Sequence, residues 1–264
     1  MKFPGRRLSI PYALFLILFV VLPLVIVFYY AFTDGSGQFT LENFLSFFQN
    51  TKTMGTLLYS LVIAVLTTAL SLVLAYPTAY ILAMGYVKHP RILLIIFVTP
   101  MWINSVLRLT ALKEILSAIE GNIAYFPFLN TVLGMTYDFL PFMILPIYNS
   151  ISKIDVSLRE AALDLGASPN SVLWKIMIPL SMPGIISGIT MVFLPAMTNY
   201  VVLDLMYNST YIMGSLIGSY FNAYDWNRGA MVSAVLLLSI ALLTFTEKPK
   251  KKEKDEFKVG GIVG

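Results

Sequence analysis

Few side chains in this 264-residue sequence could do chemistry, and most of those that could sit inside apolar runs. Asp138 and Asp204 are carboxylates, Asn104 and Asn199 amides, and Trp102, Tyr137 and Tyr200 offer aromatic rings in the same stretches. Carboxylates pair with cations, and ring faces attract ammonium groups while apolar walls hold alkyl stems. An anion would call instead for basic groups or helix N-termini. The set suits a positively charged solute. Each residue also has a structural reading. Asp138 could pair with Arg108 as an internal ion pair, and Asp204 could be a solvated boundary residue. The asparagines could hydrogen-bond between helices, and the rings could form an interfacial belt.

Catalytic chemistry has little to work with. His89 is the single histidine and lies in a short loop before Pro90. No HExxH, GxSxG or Walker-type phosphate loop is present. There is no cysteine, which excludes disulfide and thiolate chemistry. The sequence reads as a non-enzyme with no cofactor or metal of its own, and without a phosphate loop it is not expected to hydrolyse ATP itself.

The elements that must position these residues are membrane helices. The chain is 58% hydrophobic and only 12% charged, and its apolar residues gather into blocks. Blocks of about 20 residues match a bilayer core about 30 Å thick. Six spans are expected: 8–32, 56–84, 92–112, 131–151, 183–206 and 229–246. Arg6 and Arg7 precede the first, but its apolar stretch is too long for a signal peptide and it reads as a retained span. Lys and Arg set the orientation. Grouping the N-terminus, the second and fourth loops and the tail places fourteen of the 18 on one side, so both termini are expected in the cytoplasm. The basic segment 247–264 reads as a solvated, disordered tail. On this scheme Asp138 lies seven residues into its span, about 10 Å deep. Asn104 and Asn199 lie at comparable depth and Asp204 at the outer mouth. Tyr200 and Asp204, four apart, share a helix face. The in-span prolines Pro23, Pro77, Pro100, Pro141, Pro146 and Pro195 suit kinked helices.

One charged stretch interrupts the apolar pattern. "EAALDLGASPNSVLWKIMIP" (Glu160–Pro179) falls in the fourth loop, about 152–182, on the cytoplasmic side. Asp155 is placed to cap a helix, Gly166 to end it, and Ser168–Pro169 to open a second. That second short helix is expected to run into Pro179 and Pro183 before the fifth span. Glu160 and Asp164 lie four apart, a mildly unfavourable like-charge pair. The pattern alone fits a solvated amphipathic linker.

The spacing fits something more specific. Glu-Ala-Ala, three residues, Gly, nine residues, Ile-x-Ile-Pro resembles the EAA loop of ABC-importer permeases, whose usual ending is Ile-x-Leu-Pro. Glu160, Ala161, Ala162, Gly166, Ile176 and Pro179 match, and Ile178 replaces the leucine. In that family the loop is a coupling helix that docks into a cleft on a cytoplasmic ATPase. Small Ala161 and Ala162 would allow close approach, and Glu160 and Asp164 would meet basic partners. "TPMWINSVLRLTALK", "LPFMILPIYNSI", "MPGIISG" and "LPAMTNYVVLDLM" are similar to the B-type permeases of spermidine/putrescine importers. The resemblance implies a six-helix type I importer fold in a bacterial cell membrane. It also implies a second permease, two ATPase subunits holding ATP and Mg, an external substrate-binding protein, and no nucleic acid. A polyamine would satisfy the acids, amides and rings. The alternatives are an ABC permease for sulfate, thiamine or iron, or a proton-coupled secondary transporter with Asp138 as its relay.

Overall fold

The computed structural model describes residues 5–245, so the expected tail over 247–264 lies outside the described residues. Among those residues the chain is helical throughout, and the nearest thing to a strand is one isolated bridge between Thr33 and Phe39. Helix α1 runs Gly5–Leu16, passes a π turn at Ile17–Val21 and continues as Leu22–Ala31. α2 is Glu42–Gln49 and α3 Thr51–Ala83. α4 (Pro90–Val98) tightens into a 3-10 turn at Thr99–Trp102, and α5 is Ser105–Glu120. α6 spans Pro127–Ile151 and α7 Val156–Asp164. α8 begins at Pro169–Val172, crosses a π turn at Leu173–Met177 and continues to Ala196. α9 (Tyr200–Leu205), α10 (Met213–Asn222) and α11 (Trp226–Phe245) follow.

Helices α3, α6 and α8 pack on one another and form the core. α3 turns small side chains inward, among them Ser60, Ala64, Thr67, Ser71, Ala75 and Ala79. Small residues let backbones approach where lipid offers no hydrophobic drive between helices. α8 supplies Gly184 and Gly188 against α6. A Cβ on Gly184 would collide with Ser150 Cβ and the Pro146 carbonyl, and one on Gly188 would come within 2.6 Å of Met143 Sδ. α1 packs on α11 and otherwise exposes its apolar side chains, as a lipid-facing helix does.

Among the described residues four helices, α1, α3, α6 and α8, are long and apolar enough to cross a membrane, and a fifth crossing results if α4 and α5 count together. The expected span 92–112 is not one helix. It bends by 102° between Trp102 and Ser105. Pro100 stands in the 3-10 turn, Ile103 is extended (φ −89°, ψ 141°), and Asn104 accepts from Val106 N–H at 2.9 Å to start a new helix. Apolar content carried through this break, but backbone direction did not.

The expected span 183–206 also differs. α8 starts at Pro169 and ends at Ala196, so Asn199, Tyr200 and Asp204 lie beyond it on α9. Nor do Pro179 and Pro183 end a separate short helix; α8 runs through both. Pro179 lacks the N–H that an α-helix would use, and the π turn just before it takes up the gap. Pro23 follows the π turn of α1 at the same distance.

Candidate functional site

The loop after α6 is built by local chemistry. Asp155 caps α7, accepting from Ser157 N–H at 3.0 Å. The backbone N–H and then the hydroxyl of Ser157 hold its carboxyl below the usual aspartate range. At the other end Gly166 takes φ +84°. Its N–H donates to Leu163 O at 2.9 Å and Ala167 N–H to Ala162 O at 3.1 Å, the paired bonds of a Schellman cap. Ser168 then caps α8, accepting from Ser171 N–H at 3.2 Å, with Pro169 in the first turn. All three caps sit where the sequence puts them.

The exposed face of this helix-turn-helix carries Glu160, Ala161, Asp164 and Gly166, while Ala162 turns partly toward the core. Glu160 and Asp164 make no ion pair among the described residues. Ile176 is half-buried in the π turn and Pro179 is exposed. Two large apolar side chains dominate the projection: Leu165 at the turn is 89% exposed and Trp174 is 68% exposed. Sequence reasoning gave neither side chain a role. Leu165 is the helix C-cap, one step past the α-helical residues.

The polar set divides. Asp138 is buried and its Oδ1 accepts from Arg108 Nη2 at 2.6 Å. Because α6 begins at Pro127, Asp138 lies eleven residues in, about 16 Å along the helix, rather than about 10 Å. Arg108 Nε also donates to Ile103 O at 3.3 Å, so the pair ties the bend to α6. Tyr137 is exposed beside it, with its ring centre 5.9 Å from the guanidinium carbon. Asn104 is committed as the cap of α5. Trp102 projects from the bend, 88% exposed. Asn199 heads α9 without a side-chain cap bond, and Tyr200 and Asp204 are both exposed on that helix. The structure thus brings Asp138 to Arg108, with the Tyr137 ring beside the pair, and leaves Tyr200 and Asp204 exposed.

A wide groove, about 1030 Å³, was not foreseen. It runs between α6 and α8 toward the start of α7, with Phe142, Leu145 and Met191 as apolar lining and Asn149, Ser150 and Ser187 as polar lining. The signal that pointed to it was "GIISG": the two glycines draw α8 onto α6 along one edge of the groove. No cluster of metal-ligating side chains occurs among the described residues.

Long apolar helices around a tight core, with one capped helix-turn-helix presented outside it, define a transport permease rather than an enzyme. The chain belongs to the family of binding-protein-dependent transport system inner membrane components, whose description matches residues 2–247. It is 36% identical to the spermidine/putrescine transport system permease protein PotB of Escherichia coli (strain K12), over 86% of this chain and 90% of that protein. Against the PotB of Haemophilus influenzae it is 35% identical, with 87% and 88% covered. A PotB homolog of Mycoplasma pneumoniae is 32% identical, with 65% and 64% covered. The fold is that of a chain of a bacterial alginate ABC transporter, solved in complex with its alginate pentasaccharide-bound periplasmic protein. The TM-score is 0.68 at 13% identity, covering 91% of each chain. A second structure of an alginate-importing ABC transporter gives 0.62 at 14% identity, covering 91% and 93%.

Proposed function

We propose that this permease passes spermidine and putrescine across the membrane, paired with a second permease and driven by ATPase subunits gripped through 160–179. The observation that carries the coupling is the helix-turn-helix itself: capped at each step, and presenting a leucine and a tryptophan left exposed among the described residues. Support for the cargo comes from the PotB relatives and from the chemistry left exposed, Asp204 with Tyr137 and Tyr200. In this reading the six crossings comprise α1, α3, the bent α4–α5 pair, α6, α8 and α11. Both termini face the cytoplasm, following the Lys and Arg bias. ATP and Mg would be held by the ATPase, and an external binding protein would deliver cargo to the opposite side. The groove between α6 and α8 forms the inner part of the path.

The test is uptake by the whole transporter in proteoliposomes loaded with ATP, with its external binding protein supplied outside. Labelled spermidine or putrescine should accumulate, and excess sulfate, thiamine or iron should not compete. Accumulation of one of those solutes instead would overturn the cargo assignment. Uptake by the isolated chain under a proton gradient would overturn the ATP-driven reading.

A further inference from the structure

α7 meets the membrane body through the packing of Ala162 and Leu163 and through one side-chain link. Arg159, the residue before Glu160, reaches back to the loop that follows α3. Its Nη2 donates to Tyr86 Oη at 2.6 Å, and its guanidinium carbon lies 5.5 Å from the Tyr86 ring centre. Tyr86 is itself tied to α3. Its N–H donates to Ile81 O at 3.3 Å, and its ring sits 6.1 Å from that of Tyr80, centre to centre. Behind this contact the packing opens. A cavity of about 210 Å³ lies between Tyr80, Tyr86 and Arg159 on one side and Leu163 and Pro169–Leu173 on the other. A charge-assisted hydrogen bond is directional. Beside the packing of Ala162 and Leu163 on the core, it gives displacement of α7 a directional link to the loop after α3.

We propose that Arg159 is a positioning residue: through Tyr86 it carries movement of the coupling helix into α3, one of the three core helices. The proposal rests on the reading of 160–179 as the ATPase contact. α7 has two covalent routes into the body, back into α6 and onward into α8. Arg159 adds a third, reaching the remaining core helix. All three would then move with a single element.

The experiment uses the whole transporter, with both permeases, ATPase and external binding protein, in proteoliposomes. ATP hydrolysed and spermidine moved are measured in the same sample. Tyr86→Phe removes the acceptor oxygen and keeps the ring; Arg159→Met removes the donor and the charge; Arg159→Lys keeps the charge without the planar fork. Expected are normal complex yield and retained hydrolysis in all three. Spermidine moved per ATP should fall about tenfold in Tyr86→Phe and Arg159→Met, the scale of losing one hydrogen bond to a charged group, with Arg159→Lys in between. An unchanged ratio in Tyr86→Phe overturns the proposal even if Arg159→Met proves unstable. A wild-type permease that does not bind the ATPase would overturn the coupling reading itself, a different failure from an unchanged ratio.

Discussion

Arg108 and Asp138 are joined by a 2.6 Å bond with both side chains buried, and the same arginine reaches Ile103 O across the 102° bend. The pair is a brace between α5 and α6. Removing one member of a buried pair leaves a charge without compensation and costs about 3–5 kcal/mol, whereas replacing both with apolar groups is often neutral. Asp138→Asn or Arg108→Gln should therefore lower the amount of folded permease, and uptake should fall in proportion. Arg108→Met combined with Asp138→Leu should recover much of the protein. Membrane abundance and uptake measured together decide this; lost uptake at full abundance in Asp138→Asn would instead put the carboxylate in contact with cargo.

Gly166 has φ +84° and nothing within 4 Å of where a Cβ would stand. Substitution there meets no collision, only the left-handed backbone, at about 1–2 kcal/mol for an ordinary residue. Gly166→Val should insert normally yet weaken ATPase binding roughly tenfold. Gly166→Asn should do less harm, because asparagine visits this region more readily. Equal binding by all three proteins would show that the turn is not part of the contact.

Leu165 stands out from the turn, 89% exposed among the described residues. If the ATPase cleft receives it, Leu165→Asp should behave as loss of an interface hot spot. That is about 2 kcal/mol or more, or at least roughly thirtyfold in affinity. Thermal stability of the isolated permease should be unchanged, since the side chain packs against nothing. Titrating purified ATPase onto nanodisc-held permease checks both expectations.

Gly184 marks the closest approach of α8 to α6. Gly184→Leu should cut the yield of folded protein, as overpacking by even a few atoms costs about 1–3 kcal/mol. Gly184→Ala should be milder, and Ser150→Gly should rescue it only in part, because the Pro146 carbonyl remains in the way. Full rescue would mean that the helices separate more easily than this contact implies.

Much of the loop between α6 and α8 could be read from the sequence because its chemistry is local. Asp155, Gly166, Ser168 and Pro169 act within three residues of themselves, and each does what its type and position suggest. The apolar runs located most of the long helices for a similar reason. The bend at Ile103–Asn104 follows Pro100 and is capped by Asn104, local signals that the count of apolar residues over 92–112 passed over. Beyond local range, the reading weakened. The Asp138–Arg108 pair, 30 residues apart in sequence, appeared only as one alternative, since α5 must first fold back on α6 before the two can meet. The projection of Leu165 was not legible, because it depends on the helix stopping at Asp164, one residue earlier. The groove depends on how α6 and α8 lie together, which "GIISG" hinted at without giving its shape.

The π turn at Leu173–Met177 has a consequence for phase. A π turn holds one residue more than an α-helical turn, so it shifts the angular register of everything on either side by about 100°. Trp174 and the coupling loop lie before or within it; Ser187 and Met191, which line the groove, lie beyond it. The angle between the face that carries Trp174 and the face that lines the groove is thus held by a single surplus residue. Migration of that surplus by one turn along α8 would rotate the intervening side chains while both helix ends stayed in place.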